Sequence, residues 1–246
     1  MKVPIRLTRR RRANPPCDET ARVRAIFDKD AATYDRSMAR FERLLFSGNR
    51  EWACSQATGK VLEIAAGTAR NLAHYPTAVK LTGIELSPEM AELGRERARQ
   101  LGRAIDMQVG DAQALDLPDE SFDTVVCTYG LCTIPDDRAA VREANRVLRP
   151  GGRMLLAEHV RSPNRIVRTI QRIIAPLAYR FGGDHILREP LEPLAAEGFQ
   201  IENVTRSKAG IVELISARKP SQSYVALGRR TALVAPDDTC LRPADG

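Results

Sequence analysis

The amino-acid sequence predicts an α/β protein in which a doubly wound, mostly parallel sheet is covered on both faces by helices. From residue 60 onward, short apolar runs alternate with amphipathic segments at the spacing of strand–helix–strand units. The runs are almost continuously apolar, as expected for strands that are buried on both faces. The 246 residues, 43% of them hydrophobic, suffice for one such domain of about 200 residues with short extensions.

Seven strands are predicted from these runs. They lie at residues 60–65, 80–85, 104–109, 122–127, 154–157, 199–204 and 210–217. Helices are predicted at residues 69–74, from residue 87, at 136–148 and within 163–197. Ser87, Pro88 and Glu89 predict a helix start, because serine caps an N-terminus, proline suits the first helical position and an acid suits the first turn.

The predicted domain at residues 59–218 is preceded by a helical segment at 18–58 and followed by a polar extension at 219–246. Residues 1–17 are predicted to be a disordered basic arm, since their arginines, including those at 9–12, lack apolar periodicity. Much of the formal net charge of +7 therefore lies outside the core. We expect no nucleic-acid partner, because the arginines form a solvated arm and aromatic residues make up only 5% of the chain.

The cysteines and histidines indicate a reduced intracellular protein without a metal centre. The five cysteines are odd in number and form no C-x-x-C pair. The histidines, at 74, 159 and 185, are too far apart in sequence to suggest a metal cluster. The sequence contains no run of 18 apolar residues and no apolar stretch after the basic N-terminus. The expected location is therefore cytoplasmic, with at most a peripheral membrane contact.

Distinctive residues occur at the ends of three successive predicted strands. The first strand runs into a tight turn of small residues around Gly67, which lets a ligand approach the backbone closely. Glu85 ends the next strand, where a carboxylate can accept both hydroxyl protons of a ribose. Asp111 follows the third strand and can accept a hydrogen bond from an adenine amino group. Each acid alone is explained by a helix cap or a solvated strand end, but together these residues predict a nucleoside site.

Residues 60–160 resemble the class I S-adenosylmethionine-dependent methyltransferases in motifs that occur in family order. The motifs are the turn after the first strand, the acid at 85, Gly110-Asp111-Ala112, the strand at 122–126 and the segment 146–152. The resemblance implies the seven-stranded class I methyltransferase fold and S-adenosylmethionine as cofactor, with S-adenosylhomocysteine as product and no metal. A dinucleotide-dependent dehydrogenase is the alternative, but it expects three glycines in the turn, and Glu63 would repel a pyrophosphate.

The resemblance also implies the cofactor contacts. Glu63 is expected near the methionine amine, directly or through water, with the backbone of Ala65 and Gly67 beneath the methionine portion. On the nucleoside side, Glu85 is expected to hold the ribose, Leu86 to pack beside the adenine, Asp111 and the amide of Ala112 to contact the adenine edge, and the Cys127 carbonyl to face the amino group. Since Ala65 and Ala69 stand where the family has glycine, we expect both to keep a negative φ.

Two further resemblances concern the N-terminal segment and the methyl acceptor. Residues 27–35 are similar to the N-terminal segment of the ubiquinone and menaquinone methyltransferases, which folds over the cofactor. Tyr34 is therefore expected in an N-terminal helical lid. Residues 125–135, 157–160 and 181–189 resemble a branch that contains small-molecule thiol S-methyltransferases and phospholipid N-methyltransferase-like proteins.

The expected acceptor is a small, fairly apolar molecule: a thiol first, an amine-bearing lipid or metabolite second, and a quinol third. Tyr129, Cys132 and His185 are the expected substrate contacts. His185 and His159 are the candidate bases, since a thiol with a pKa of about 8.5 needs only modest help to form the thiolate. A cofactor-binding regulator without turnover, or an RNA methyltransferase that uses the arginine-rich arm, is the alternative of a different class.

Large apolar residues recur at helical spacing between residues 165 and 181, and arginines fall on the other side. One interpretation is a helix whose apolar face packs on the core and whose basic face is exposed to solvent. The other is a helix that lines an apolar acceptor pocket or touches anionic lipid. Pro176 is expected to kink or end this helix.

Overall fold

The centre of the structure, a computed structural model that describes residues 16–41 and 48–221, is a seven-stranded sheet. Its strands are β1 (Lys60–Ile64), β2 (Lys80–Glu85), β3 (Asp106–Val109), β4 (Phe122–Thr128), β5 (Leu148–His159), β6 (Gln200–Ser207) and β7 (Val212–Arg218). They lie in the order β3-β2-β1-β4-β5-β7-β6, and within this sheet β7 alone runs antiparallel to its neighbours. The predicted doubly wound, mostly parallel sheet is confirmed.

The strand order reverses direction beside β1, which pairs in parallel with β2 on one side and with β4 on the other. The loops that follow β1 and β4 therefore diverge and leave a crevice beyond the carboxyl ends of the strands. The ends of β1 to β4 all meet at this edge, so residues far apart in sequence are brought together there. This edge carries the predicted nucleoside site.

Helices cover both faces of the sheet. They are α1 (Pro16–Phe41), α2 (Asn49–Cys54), α3 (Pro88–Leu101), α4 (Asp137–Val147), α5 (Arg165–Gly182) and α6 (Leu191–Ala196). The predicted start of α3 is confirmed, because Ser87 Oγ accepts a hydrogen bond from the N–H of Met90 at 3.1 Å and Pro88 is the first helical residue. Residues of α4 and α6 pack in one core cluster, and those of α2 and α3 pack in another. Within the described residues, no helix has both the length and the apolar character needed to cross a bilayer.

The segment after α4 differs from the expectation of a helix stop followed by a short strand. Leu148 is extended, with φ −71° and ψ 138°, and pairs with Phe122 of β4. β5 therefore begins immediately after α4 and includes residues 150–152, which the sequence suggests only as a helix stop. Strand pairing overrides the local tendency of proline and glycine to interrupt regular structure.

Of the two effects expected of Pro176, an end of the helix is wrong, since α5 continues to Gly182, and a kink stays a prediction. Proline removes the hydrogen bond to the carbonyl of Arg172, but both residues are exposed, so water can replace that bond. The interpretation that α5 packs its apolar face on the core is also wrong. Gln171 is buried there, whereas the large apolar side chains of the helix are mostly exposed.

α1 lies over the carboxyl edge of the sheet. Asp35 near its end accepts a hydrogen bond from Thr68 Oγ1 at 2.7 Å and pairs with Arg70 at 3.3 Å and with Arg97. Burial of Asp35 raises its pKa, but hydrogen bonds from Thr68 and the two arginines outweigh this and lower the pKa below its usual value. These contacts attach α1 to the turn that follows β1.

The N-terminal helix begins at Pro16, two residues before the predicted segment, so the last two residues of the predicted arm belong to α1. The rest of that arm, residues 1–15, lies outside the described residues. So do residues 42–47, with the apolar positions Leu44, Leu45 and Phe46, and residues 222–246 of the predicted extension.

Gly94 provides a test of how closely α3 must approach the turn after β1. A Cβ at this position would lie 2.6 Å from Met107 Cε and 3.2 Å from the carbonyl oxygen of Gly67. On an unhindered helix, Gly→Ala stabilises by about 1 kcal/mol. We expect Gly94→Ala instead to lower the free energy of unfolding by about 1–3 kcal/mol, measured in urea, because the added methyl overpacks the contact.

The matched control is Gln100→Ala, an exposed position on the same helix, which should leave the free energy of unfolding within about 0.5 kcal/mol. A Gly94→Ala variant more stable than the wild type would contradict the close approach of α3 to the Gly67 turn.

Candidate active site

A cleft opens at the carboxyl ends of β1 to β4, with small residues from three loops as its floor. Its walls come from α1, α2, α3 and the loop after β4. The lining residues are Val23, Phe27, Tyr34, Arg50, Ala65, Ala66, Gly67, Thr68, Arg70, Ile84, Glu85, Leu86, Met90, Gly110, Asp111, Ala112, Thr128, Tyr129, Gly130, Thr133, Ile134 and Pro135. Seven of the predicted cofactor contacts are among them, namely Tyr34, Ala65, Gly67, Glu85, Leu86, Asp111 and Ala112.

Glu85 is 6% exposed and ties two loops together at the centre of the cleft. Its Oε2 accepts a hydrogen bond from the N–H of Gly67 at 2.8 Å, and its Oε1 accepts one from the N–H of Ser87 at 2.9 Å. Burial raises the pKa of this carboxyl, and the backbone donors partly offset that rise. A carboxylate can accept about four hydrogen bonds, so capacity remains for two hydroxyl groups of a ribose.

The turn after β1 contradicts the expectation that its alanines keep a negative φ. Ala65 has a φ of 52° and Ala69 a φ of 55°, close to the 56° of Gly67. The turn is fixed by tertiary hydrogen bonds, since Ala66 N–H donates to Ile84 O at 3.0 Å. This contact overrides a left-handed penalty of about 1–2 kcal/mol for each alanine. The short alanine side chains still leave the turn open to a ligand.

Glu63 lies beneath the cleft and is not among the lining residues. Its Oε1 accepts a hydrogen bond from Asn71 Nδ2 at 2.6 Å, and its Oε2 accepts one from the hydroxyl of Tyr75 at 3.0 Å. Burial raises the pKa of Glu63 to about 7. Asn71 also accepts a hydrogen bond from Arg50, which does line the cleft. The contact of Glu63 with a methionine amine stays a prediction.

The adenine contacts that the sequence predicts line the cleft, but the predicted contact Cys127 does not. Asp111 and Ala112 line the cleft beside Leu86. Asp111 Oδ1 accepts hydrogen bonds from the backbone N–H and the side-chain amide of Gln113, both at 2.9 Å. Cys127 is fully buried in β4 and does not line the cleft.

Three lining residues come from α1, which forms the roof of the cleft. Val23 is buried against it, and Phe27 and Tyr34 line both this cleft and a second one. Burial raises the pKa of Tyr34 to about 12, so its hydroxyl stays protonated at neutral pH. Arg50 from α2 also lines the cleft. Sequence reasoning missed it, because α2 has only six residues and shows no clear periodicity.

The second cleft has a volume of about 730 Å³ and adjoins the first. The two share four residues, Phe27, Tyr34, Tyr129 and Thr133. Half of the other lining residues of the second cleft are apolar, and these residues come from α1, α5 and the segments beside them: Ile26, Asp30, Thr33, Ser37, Met38, His159, Val167, Ile170, Gln171, Ile174, Gly182, Asp184, Ile186 and Ile211. Its size is that of a small-molecule pocket.

Tyr129 stands where the two clefts meet. It has a φ of 56°, which turns the chain sharply after β4. Its ring centre lies 4.8 Å from that of His159, and its hydroxyl accepts a hydrogen bond from Asn49 Nδ2 at 2.9 Å. The guanidinium carbon of Arg50 lies 5.1 Å from the same ring centre. These contacts hold the ring between the two clefts.

His159 and Asp184, which line the second cleft, form a cluster with Cys132, a predicted substrate contact that lines neither cleft. Cys132 Sγ lies 3.8 Å from His159 Nδ1 and donates a hydrogen bond to Asp184 Oδ1 at 3.6 Å. Burial, assisted by Arg50, lowers the pKa of His159 to about 4, so this histidine is neutral at pH 7. Burial raises the pKa of Asp184 to about 6, and Cys132 keeps its proton because burial and Asp184 raise its pKa well above the usual value.

The structure separates the two histidines that the sequence proposes as bases. His159 lines the second cleft. His185 does not: its ring centre lies 4.9 Å from that of Tyr179 on the other side of α5. Asp184, the preceding residue, lines the cleft instead. The sequence identified the right loop, but adjacent side chains of a loop point in different directions.

Glu158 supports the wall between the clefts. It is fully buried, and its Oε1 accepts hydrogen bonds from the N–H groups of Gly130 at 3.1 Å and Leu131 at 3.2 Å. Its Oε2 has no hydrogen-bond partner. Burial raises the pKa of Glu158 to about 7. Across residues 16–41 and 48–221, no three His, Cys, Asp or Glu side chains group so that they could hold a metal ion.

Comparisons with known proteins agree with this geometry. Residues 62–156 match the family model of a methyltransferase domain. The chain is 38% identical over 103 residues to a phosphatidylethanolamine N-methyltransferase of Cereibacter sphaeroides, which covers 41% of this chain and 51% of that relative. It therefore spans about half the length of that protein. It is 30% identical over 165 residues to a 2-phytyl-1,4-naphtoquinone methyltransferase of Synechococcus elongatus, covering 61% of this chain and 69% of the relative.

A solved structure from Thermotoga maritima, described as an S-adenosylmethionine-dependent methyltransferase and possible histamine N-methyltransferase, has a similar fold. Its TM-score is 0.61 at 22% identity, and the match covers 79% of this chain and 99% of the other. At this identity the likeness concerns the fold alone.

Glu85 provides the test of the cofactor cleft. We expect Glu85→Ala to weaken binding of S-adenosylhomocysteine by about 1.5–3 kcal/mol, the range for a hydrogen bond to a charged group. Calorimetric titration measures this change, which corresponds to roughly a 10- to 150-fold rise in Kd. The control is Glu92→Ala, an exposed acid of α3 outside the cleft, which should bind normally. Equal affinities of the wild type and Glu85→Ala would remove Glu85 from the site.

Glu158 provides a test of whether burial raises the pKa of a carboxyl group in this region. Because its folded-state pKa of about 7 lies above its usual value of 4.5, it stabilises the fold most below pH 4.5, and this contribution is lost as the pH rises through 7. Glu158→Gln lacks this titration. From pH 5 to pH 7, the free energy of unfolding of the wild type should therefore fall relative to that of Glu158→Gln, by up to about 1.4 kcal/mol per pH unit. Parallel urea-unfolding profiles for the two proteins would contradict the raised pKa.

Proposed function

We propose that this protein, which belongs to the S-adenosylmethionine-dependent methyltransferases, methylates the nitrogen of an amine whose remainder is apolar, with an amine-bearing lipid as the model acceptor. S-adenosylmethionine occupies the first cleft in this proposal, because Glu85 has acceptor capacity for its ribose and the small residues around Gly67 admit it. The acceptor occupies the second cleft.

The observation that carries the acceptor assignment is the chemistry of the second cleft. Its lining is mostly aliphatic and aromatic, it contains the carboxylates Asp30 and Asp184, and no lysine or arginine is among its described lining residues. Apolar side chains favour an acceptor with a long hydrocarbon portion. The carboxylates favour a group that carries positive charge on arrival. An amine-bearing lipid has both properties.

Asp184 is suited to take the proton that must leave the acceptor. An ammonium group has no lone pair and cannot be methylated until it loses a proton. Desolvation in the cleft lowers the pKa of an amine and raises that of a carboxyl, so proton transfer from the ammonium to Asp184 becomes easier. The pKa of about 6 for Asp184, above the 4 of His159, makes it the stronger base of the two.

When bound, S-adenosylmethionine supplies a methyl group on a sulfonium sulfur, so an in-line displacement needs mainly correct positioning. Tyr129 and Tyr34 lie at the junction of the clefts, where they can exclude water and orient the amine toward the first cleft. His159 stacks on Tyr129 and keeps that ring in place.

A thiol acceptor, which the sequence favoured, fits these charges less well. A thiol reacts as the thiolate, and the carboxylate of Asp184 opposes that anion. Cys132 illustrates the effect, since burial and Asp184 together raise the pKa of its thiol well above the usual value. The negative charge of Asp184 also opposes formation of the phenolate of a quinol. The phosphatidylethanolamine N-methyltransferase of Cereibacter sphaeroides, at 38% identity, supports the amine further.

Asp184→Asn tests the proposal. With a phosphatidylethanolamine dispersion as acceptor, we expect its rate of S-adenosylhomocysteine release to fall by about 10²-fold or more, as for the loss of a general base. Affinity for S-adenosylhomocysteine should not change, because Asp184 lies outside the first cleft. The wild-type rate should rise with pH through about 6 as Asp184 ionises, and the rate of the variant should not show this rise. The control is Asp30→Asn, an exposed carboxylate of the same cleft, which should lose much less activity.

Two results would contradict this assignment. A uniform loss at every pH in Asp184→Asn would mean that this residue only positions the acceptor. Release of S-adenosylhomocysteine with simple thiols or quinols, but not with amines, would overturn the acceptor and leave the cofactor assignment standing.

A further inference from the structure

The outer face of α5 exposes an unusual number of large apolar side chains. Ile166 is 74% exposed, Ile173 70% and Phe181 67%. Ile170, Ile174 and Leu177 are each at least 45% exposed. At 3.6 residues per turn these six positions fall within roughly 100° of the helix circumference, so they form one continuous strip. We call these six residues the α5 strip.

The rotation that turns the strip outward is fixed by polar contacts on the opposite side of the helix. Gln171 Oε1 accepts a hydrogen bond from the N–H of Ser162 at 2.8 Å, and Gln171 Nε2 donates to the carbonyl of Val160 at 2.9 Å. Gln171 is buried, and the small Ala175 and Ala178 near it are half-buried. Turning the strip inward would break both hydrogen bonds, so its exposure belongs to the packed structure.

The charged residues of α5 are all basic. α5 contains Arg165, Arg168, Arg172 and Arg180, and its 18 residues include no aspartate or glutamate. Arg180 lies about 20° from the edge of the strip, whereas Arg165 and Arg172 lie about 80–100° from that edge and Arg168 lies on the opposite side of the helix. An exposed apolar strip with arginines on the polar side of the same helix is the pattern of a helix that lies in a membrane interface and binds anionic headgroups.

We propose that the α5 strip docks this protein on the surface of a bilayer that contains anionic phospholipid. The apolar side chains enter the boundary between headgroups and acyl chains, and the arginines contact phosphate groups. Charge complementarity selects this occupant. A second copy of the chain would bring four more arginines to the same contact without a compensating acid from either helix.

The strip is also continuous with the second cleft. Ile170 and Ile174 belong to the strip and line that cleft, so the cleft opens at the surface that faces the bilayer. A molecule dissolved in the membrane can therefore pass along apolar side chains without crossing water. The docking goes beyond the proposed reaction and does not depend on which atom is methylated.

The test measures binding of the full chain to vesicles without any turnover. Vesicles of phosphatidylcholine alone are compared with vesicles in which a third of the lipid is phosphatidylglycerol, by flotation at low and at physiological salt. We expect binding to the anionic vesicles that weakens as salt rises. The double variant Ile173→Ser/Leu177→Ser should reduce the partition coefficient at least tenfold. Neither residue lines a cleft, so affinity for S-adenosylhomocysteine should not change.

The matched control is Leu93→Ser/Leu101→Ser, which removes two exposed leucines of α3 and should bind vesicles like the wild type. Since both double variants keep the arginine-rich N-terminus, the comparison isolates α5 from that segment. Equal vesicle binding by all three proteins would overturn the proposal. It would also be overturned by a wild-type dimer that ignores vesicles and becomes monomeric in the α5 variant, or by vesicle binding that appears only after residues 222–246 are deleted.

Discussion

The cleft depends first on the Glu85 carboxylate, which joins two backbone segments that strand pairing does not hold. The turn around Gly67 and the start of α3 at Ser87 each donate one N–H to it. At Gly94, α3 also approaches the carbonyl oxygen of Gly67 closely, so the helix packs directly on the turn. A buried acceptor therefore both shapes the floor of the cleft and retains capacity for a ligand, so fold and binding share the same atoms.

Several buried carboxyl groups surround the two clefts, and their pKa values are all raised by burial. The pKa values of Glu63 and Glu158 reach about 7 and that of Asp184 about 6, and burial also raises the pKa of Glu85. Each such group costs stability when it ionises at neutral pH. The carboxylates also create a negative potential around the clefts. This potential favours the two proposed ligands, a sulfonium and an amine, and opposes a thiolate or phenolate acceptor. One electrostatic arrangement thus suits both ligands.

The sequence predicts the strands and the nucleoside end because these depend on local patterns. Apolar runs define the strands, and Glu85 and Asp111 are found by their position at strand ends. The acceptor end depends on packing between α1, α5 and two loops, and no local pattern shows which side chain of a loop faces inward. The sequence therefore predicted His185 as a base, whereas the structure shows that the neighbouring Asp184 lines the cleft. Ala65 adopts a positive φ for a similar reason, since a tertiary contact outweighs its local preference.

The helix α5 illustrates what periodicity alone cannot decide. The apolar period defines a strip, but in an amphipathic helix of a globular protein this strip is normally the packed side. Here Gln171 and small residues are packed, and the strip faces outward. Fully burying one such side chain contributes about 1.5–3 kcal/mol. Six such side chains, each at least 45% exposed, therefore forgo a burial free energy similar to the net stability of a whole domain, about 5–15 kcal/mol. The two hydrogen bonds of Gln171 keep the strip exposed. The free energy of burying its apolar side chains is therefore gained only when an apolar surface covers the strip.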